Sequence, residues 1–103
     1  MNHDESAVFL AIIAERKQTD ALLTALLEAG AHLVNTTYAR GTVRAGSLPC
    51  VLGLVPEKDN AIITCVLTRE KSNAVFRLLA ERFHFDQPNM GIAFTMPIDQ
   101  LTF

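Results

Sequence analysis

The sequence predicts an α+β fold: a ferredoxin-like βαββαβ domain with a four-stranded antiparallel sheet and both helices on one face. Three observations predict it. Two short apolar runs of strand length occur in the 103 residues, and each is followed by an amphipathic helical stretch. Each helical stretch leads into a further extended segment, so a strand–helix–strand unit is used twice. The two halves also match under a shift of fifty-three residues, which lays "TDALLTALLE" (19–28) on "SNAVFRLLAE" (72–81) and "VFLAII" on "AIITCV".

Taken in order, "AVFLAIIA" (7–14) reads as the first buried strand. "TDALLTALLEAG" follows with leucines at 22, 23, 26 and 27, the stripe of an amphipathic helix. Thr19 is placed to cap its start, Asp20 suits the positive end of its dipole, and Gly30 can close it in a left-handed conformation. Leu33, Val34, Thr36, Thr37 and Tyr38 give the second strand its β-propensity. "TVRAGSLP" is a loop by composition, and "CVLGLVPEKDN" is a weaker extended stretch broken by Gly53 and Pro56. "AIITCVLT" (61–68) is the third strand. The second helix carries Val75, Leu78, Leu79 and Phe83 on one face, with Ser72 expected as its cap, and "GIAFTMPI" (91–98) is the last strand.

"LAIIA" and "IITCVL" do not alternate with polar residues, so these strands are expected to be buried on both faces. With both helices on one side, nothing within the chain is left to cover the other. Sister subunits in a closed cyclic oligomer are therefore expected there.

Composition narrows the functional class. Nine Lys and Arg against eleven Asp and Glu give a net charge of −2 with no basic cluster, which argues against nucleic-acid binding. The acidic start "MNHDESAVFLAII" is neither a secretion signal nor long enough to span a bilayer, so no direct membrane insertion is expected. One domain over residues 1–103 is expected. Cys50 and Cys65 form no CxxC, which fits a reduced cytoplasmic setting; a disulfide between them stays open as the alternative. Cys65, inside an apolar strand, reads as an inert core thiol, and Cys50, beside Pro49, as the more exposed one.

No catalytic constellation stands out. His3, His32 and His84 are scattered, there is no phosphate-loop or dinucleotide motif, and no nucleophile has an activating partner, so an enzyme is not expected. Two glycine loops draw the functional reading instead. "ARGTVRAG" (39–46) supplies Arg40, Gly41, Thr42 and Arg44 after the second strand, and "QPNMG" (87–91) supplies Asn89, Met90 and Gly91 before the fourth. Backbone N–H groups in such turns, with guanidinium groups beside them, suit an anion or phosphate. On spacing alone each loop is more often an ordinary turn.

"RGT" after the second strand, "PEKDNAIITCVLTREKSNAVFRLLAE" and above all "PNMGIAFTMPIDQL" resemble the PII signal-transduction (nitrogen regulatory) family, more closely its PII-like members. The resemblance runs from about Phe9 to Leu101. It implies a compact homotrimer of ferredoxin-like subunits with the sheets lining the interior. It also implies adenine nucleotides (AMP, ADP or ATP) bound between subunits, and a regulated protein partner reached through the loop between strands two and three. The chain departs from the family pattern at Ile92, where a lysine is usual, and at Ala39, where a second glycine is usual. Its last residue is Phe103, where many members carry a basic extension. Tyr38, the single tyrosine, precedes that loop, so a nucleotidylation tyrosine is missing from it.

The expectation is thus a trimeric PII-like regulator. Its small ligand would be held by Arg40, Gly41, Thr42 and Arg44 from one loop and Asn89, Met90 and Gly91 from the other. A ligand-free structural or interaction trimer, and a metal-handling protein of the divalent-cation-tolerance type, are the alternatives.

Overall fold

A computed structural model describes residues 6–39, 59–88 and 90–100. Strand β1 (Ala7–Glu15) leads through a tight turn (Arg16–Gln18) into helix α1 (Thr19–Glu28), followed by β2 (His32–Ala39). The second half repeats the order with β3 (Asn60–Thr68), α2 (Arg69–Phe83) and β4 (Ile92–Pro97). The sheet order is β2-β3-β1-β4 and every pairing is antiparallel, the expected ferredoxin-like arrangement. No helix of the described residues is long and apolar enough to cross a membrane.

The internal repeat is built into the strand register. In the central pair, Ala11 lies opposite Thr64, its own counterpart fifty-three residues on, so a pseudo-twofold axis passes through that pair. Bonds flanking the sheet obey the same axis. The Arg16 N–H donates to the Asp59 carbonyl at 3.0 Å, and the equivalent Arg69 N–H donates to Ser6 at 2.9 Å. The Thr19 hydroxyl donates to the Arg16 carbonyl at 2.7 Å, and that of Ser72 to Arg69 at 2.8 Å. A match read from residue types is therefore a match of hydrogen bonds.

Those two hydroxyl bonds correct the expected helix caps. Neither Thr19, the first residue of α1, nor Ser72, one turn into α2, caps its helix, because each donates back to a carbonyl instead of accepting from an N–H. Helix α2 begins at Arg69, three residues before Ser72, and is capped by Thr68, whose extended backbone lets its Oγ1 accept from the Lys71 N–H at 3.2 Å. Helix α1 has no side-chain cap; its first turn is preceded by the Arg16–Gln18 turn. The end of α1 is as expected. Gly30, at φ 87°, gives its N–H to Leu27, and Ala31 gives its own to Leu26, the paired bonds that close a helix around a left-handed residue.

The core lies between the sheet and the helices, where Leu10, Ile12, Ile63 and Cys65 meet Leu26 and Leu79. Leu26 and Leu79 are repeat equivalents, and both are fully buried. Cys65 is the free thiol of the described residues; burial pushes it up to about 11, so it is inert, as its place in an apolar strand suggested. The opposite sheet face carries Phe9, Ile13, Ile62, Val66, Phe94 and Met96, which the register sets side by side across three strands. Phe94 and Met96 remain 39% and 49% exposed on it, so within one chain the expected second burial is incomplete.

Candidate functional site

The strand register decides which loops share an end of the sheet. Glu15 and Ala39 both pair with Asn60, and Ile13 pairs with Ile92, so β1 and β2 finish where β3 and β4 begin. The chain that leaves Ala39 and the turn that enters β4 through Met90 and Gly91 thus stand at the same end. They stand at opposite corners of it, because β2 and β4 are the two edges. Three interstrand gaps of about 4.8 Å separate them by roughly 14 Å within one chain.

Of the residues singled out from the sequence, Arg40, Gly41, Thr42, Arg44 and Asn89 lie outside the described residues, as do Cys50 and the segment Thr42–Leu52. Met90 and Gly91 are described. Met90 is half-buried and Gly91 buried. Gly91 adopts φ 154°, and a Cβ there would overlap the ring of Phe85. The glycine is therefore demanded by an aromatic ring lying on its Cα, which needs no ligand to explain it. The ring of Phe85 is itself held edge-on to Phe83, with centroids 6.5 Å apart.

Two residues at this end escaped the sequence reading. The Arg16 guanidinium lies over the ring of Tyr38, 4.1 Å from its centre, with Arg16 and Tyr38 both exposed. Lys17 beside it pairs with Glu15 at 3.2 Å. A cationic pair directly after an apolar strand is the signal that could have found them, since it falls where β1 ends and the loops converge. For a phosphate-bearing ligand the described residues offer the Arg16 guanidinium, while Ile92 brings no charge to the Gly91 turn. The fit to such a ligand is thus partial, and Arg16 carries it.

On the helix side, Phe76, Leu79 and Ala80 of α2 face Phe85, Asp86 and the start of β4 across an open groove of about 300 Å³. Among the described residues no group of three or more His, Cys, Asp or Glu could hold a metal ion. His32 opens β2 at one end of the sheet and His84 follows α2 at the other.

No protein-family model matches the chain, and no curated protein matches it by sequence. Solved structures do match over nearly its whole length. A PII-like signalling protein candidate from Thermus thermophilus is 20% identical, with a TM-score of 0.66 over 93% of this chain and 91% of the other. The CPII protein of Thiomonas intermedia K12, solved with ADP, AMP and acetate, is 14% identical, with a TM-score of 0.69 over 91% and 87%. The B. subtilis GlnK–ATP complex is 14% identical, with a TM-score of 0.61 over 94% and 85%. The fold of the chain is the PII-like one that the last strand suggested.

Proposed function

We propose that the chain is a divergent PII-like regulator. It assembles as a homotrimer, takes a small anionic ligand between subunits, and signals to a protein partner through the Thr42–Leu52 segment. The observation that carries this reading is the uncovered sheet face. Phe9, Ile62, Val66, Phe94 and Met96 form an apolar surface that no helix of the described residues covers. Such a surface is hidden most economically against copies of itself.

Closing three sheets face to face would also solve the problem of the two corners. The β2 end of one subunit would meet the β4 start of the next, bringing Arg40, Gly41, Thr42 and Arg44 against Asn89, Met90 and Gly91 across a seam. An adenine nucleotide is the leading candidate, because CPII is solved with ADP and AMP and GlnK with ATP. Arg16, stacked on Tyr38, would add a fixed guanidinium beside Arg40 and Arg44. Ile92 in place of a lysine lowers the expected affinity. The role is that of a binding regulator with no catalytic step assigned.

A ligand-free interaction trimer is the second reading, favoured by the ring of Phe85 that already occupies one side of the Gly91 turn. Native mass spectrometry of the purified protein separates the two, since a trimer with retained nucleotide and an empty trimer differ in mass. Calorimetry with AMP, ADP and ATP should then detect binding that weakens at least tenfold in Arg40→Ala. A monomer at micromolar concentration, or no heat across the three nucleotides, would remove the mechanism.

A further inference from the structure

We infer that the groove between α2 and β4 is a preformed site for a small amine carrying one aromatic ring or a branched alkyl group. It is formed within one chain, on the helix side of the sheet, and shares Gly91 with the seam proposed above. The groove is a place where the two halves of the repeat part company. Three residues (29–31) connect α1 to β2, whereas eight (84–91) connect α2 to β4. That longer connection supplies Phe85 and Asp86 to the wall of the groove. Ala80 stands where the first half has Leu27, so a smaller side chain leaves the space open.

The wall is fixed without a ligand. The left-handed turn at His84 sends the chain back, and the Phe85 N–H donates to the Leu79 carbonyl at 3.1 Å. The Phe85 ring is then trapped between Gly91 and Phe83. The groove's volume of about 300 Å³ is at the small end for ligand sites, and an enclosed space half that size is enough for a benzene ring. The lining is apolar except for the exposed Asp86, so the complement is an apolar body with a positive end.

The test is an amide NMR titration of the full chain with benzylamine, and with phenylacetate as the probe of opposite charge. Benzylamine should saturate in the millimolar range and shift the amides of Leu79, Ala80, Asp86 and Gly91. Phenylacetate should bind about two- to fivefold more weakly, the range an exposed charge pair supports. Asp86→Asn should erase that preference, and Ala80→Leu should abolish binding of both probes while preserving the spectrum of the folded chain. No shift with benzylamine, equal binding of the two probes to the native chain, or binding unchanged in a folded Ala80→Leu would each overturn the proposal. Should Ala80→Leu not fold, the charge preference and its loss in Asp86→Asn decide alone.

Discussion

Helix α1 is reached from β1 through a tight turn with no side-chain cap, whereas α2 starts directly after Thr68, the last residue of β3, which caps it. Position for position, Glu15 holds the place of Thr68, and Arg16–Gln18 the place of the first turn of α2. The helix exits differ more. Gly30 ends α1 in three residues, while α2 ends on a left-handed histidine and needs eight residues to reach β4. What this teaches is that the shared part of the repeat, β1 and β3 with the buried leucines beneath them, fixes the sheet. The ends are free to diverge, and the groove and the Gly91 turn both lie at a divergent end.

Substitution of the glycines at the two exits should expose that divergence most strongly. Gly91→Ala places a methyl group into the Phe85 ring at a φ that side chains rarely adopt. Overpacking and backbone strain together should cost about 2–4 kcal/mol in urea denaturation. In Gly30→Ala the nearest obstacle is the flexible end of Lys71, so the backbone conformation dominates and the loss should be about 1 kcal/mol. Removing the ring in Phe85→Ala should recover part of the Gly91→Ala loss, because the steric part is a property of the pair. Equal losses at both glycines, with no recovery in the double variant, would show that Phe85 does not set the Gly91 turn.

The next effect depends on pH and belongs to the second half alone. Cys65 occupies the position that Ile12 holds in the first half, and burial raises its thiol to about 11. An exposed thiol in the unfolded chain titrates near 8.5, so below that pH both states hold the proton and the thiol leaves stability unchanged. Above it the unfolded chain releases the proton and the folded chain keeps it. Stability should therefore fall by about 1.4 kcal/mol per pH unit from roughly pH 8.5 until the folded thiol titrates. Between pH 7.5 and 9.5 the native chain should lose about 1 kcal/mol more than Cys65→Val, read from urea midpoints at each pH. Parallel losses in the two proteins would mean that the thiol is reached by solvent.

The fold was legible because its signals are local and redundant. Apolar runs at strand length, leucines at helical spacing and Gly30 each point to the same arrangement, and the shift that aligns the halves turned out to be the strand register itself. The caps were less legible. Thr68 ends an apolar strand and caps a helix in one residue, and residue type alone does not say which role it takes. The candidate site was the least legible part. Gly91 is explained by Phe85, six residues away across a turn whose path no periodicity encodes. Arg16 meets Tyr38 because β1 and β2 end together, which is a consequence of topology and not of spacing.

The smallest expected effect concerns the way α2 ends. His84 holds φ 60° and ψ 34°, a left-handed conformation that a Cβ makes costly and that histidine tolerates better than most residues. The first half meets the same need with glycine. His84→Gly should relieve the local strain, and the greater freedom of glycine in the unfolded chain should offset part of the gain. A net stabilisation of about 0.5–1 kcal/mol is expected in urea denaturation, with the Phe85 amide still bonded to Leu79 and protected from exchange. A destabilised variant would mean that the imidazole contributes contacts at the end of the groove. The second exit would then be held by the histidine side chain, where the first is held by backbone geometry alone.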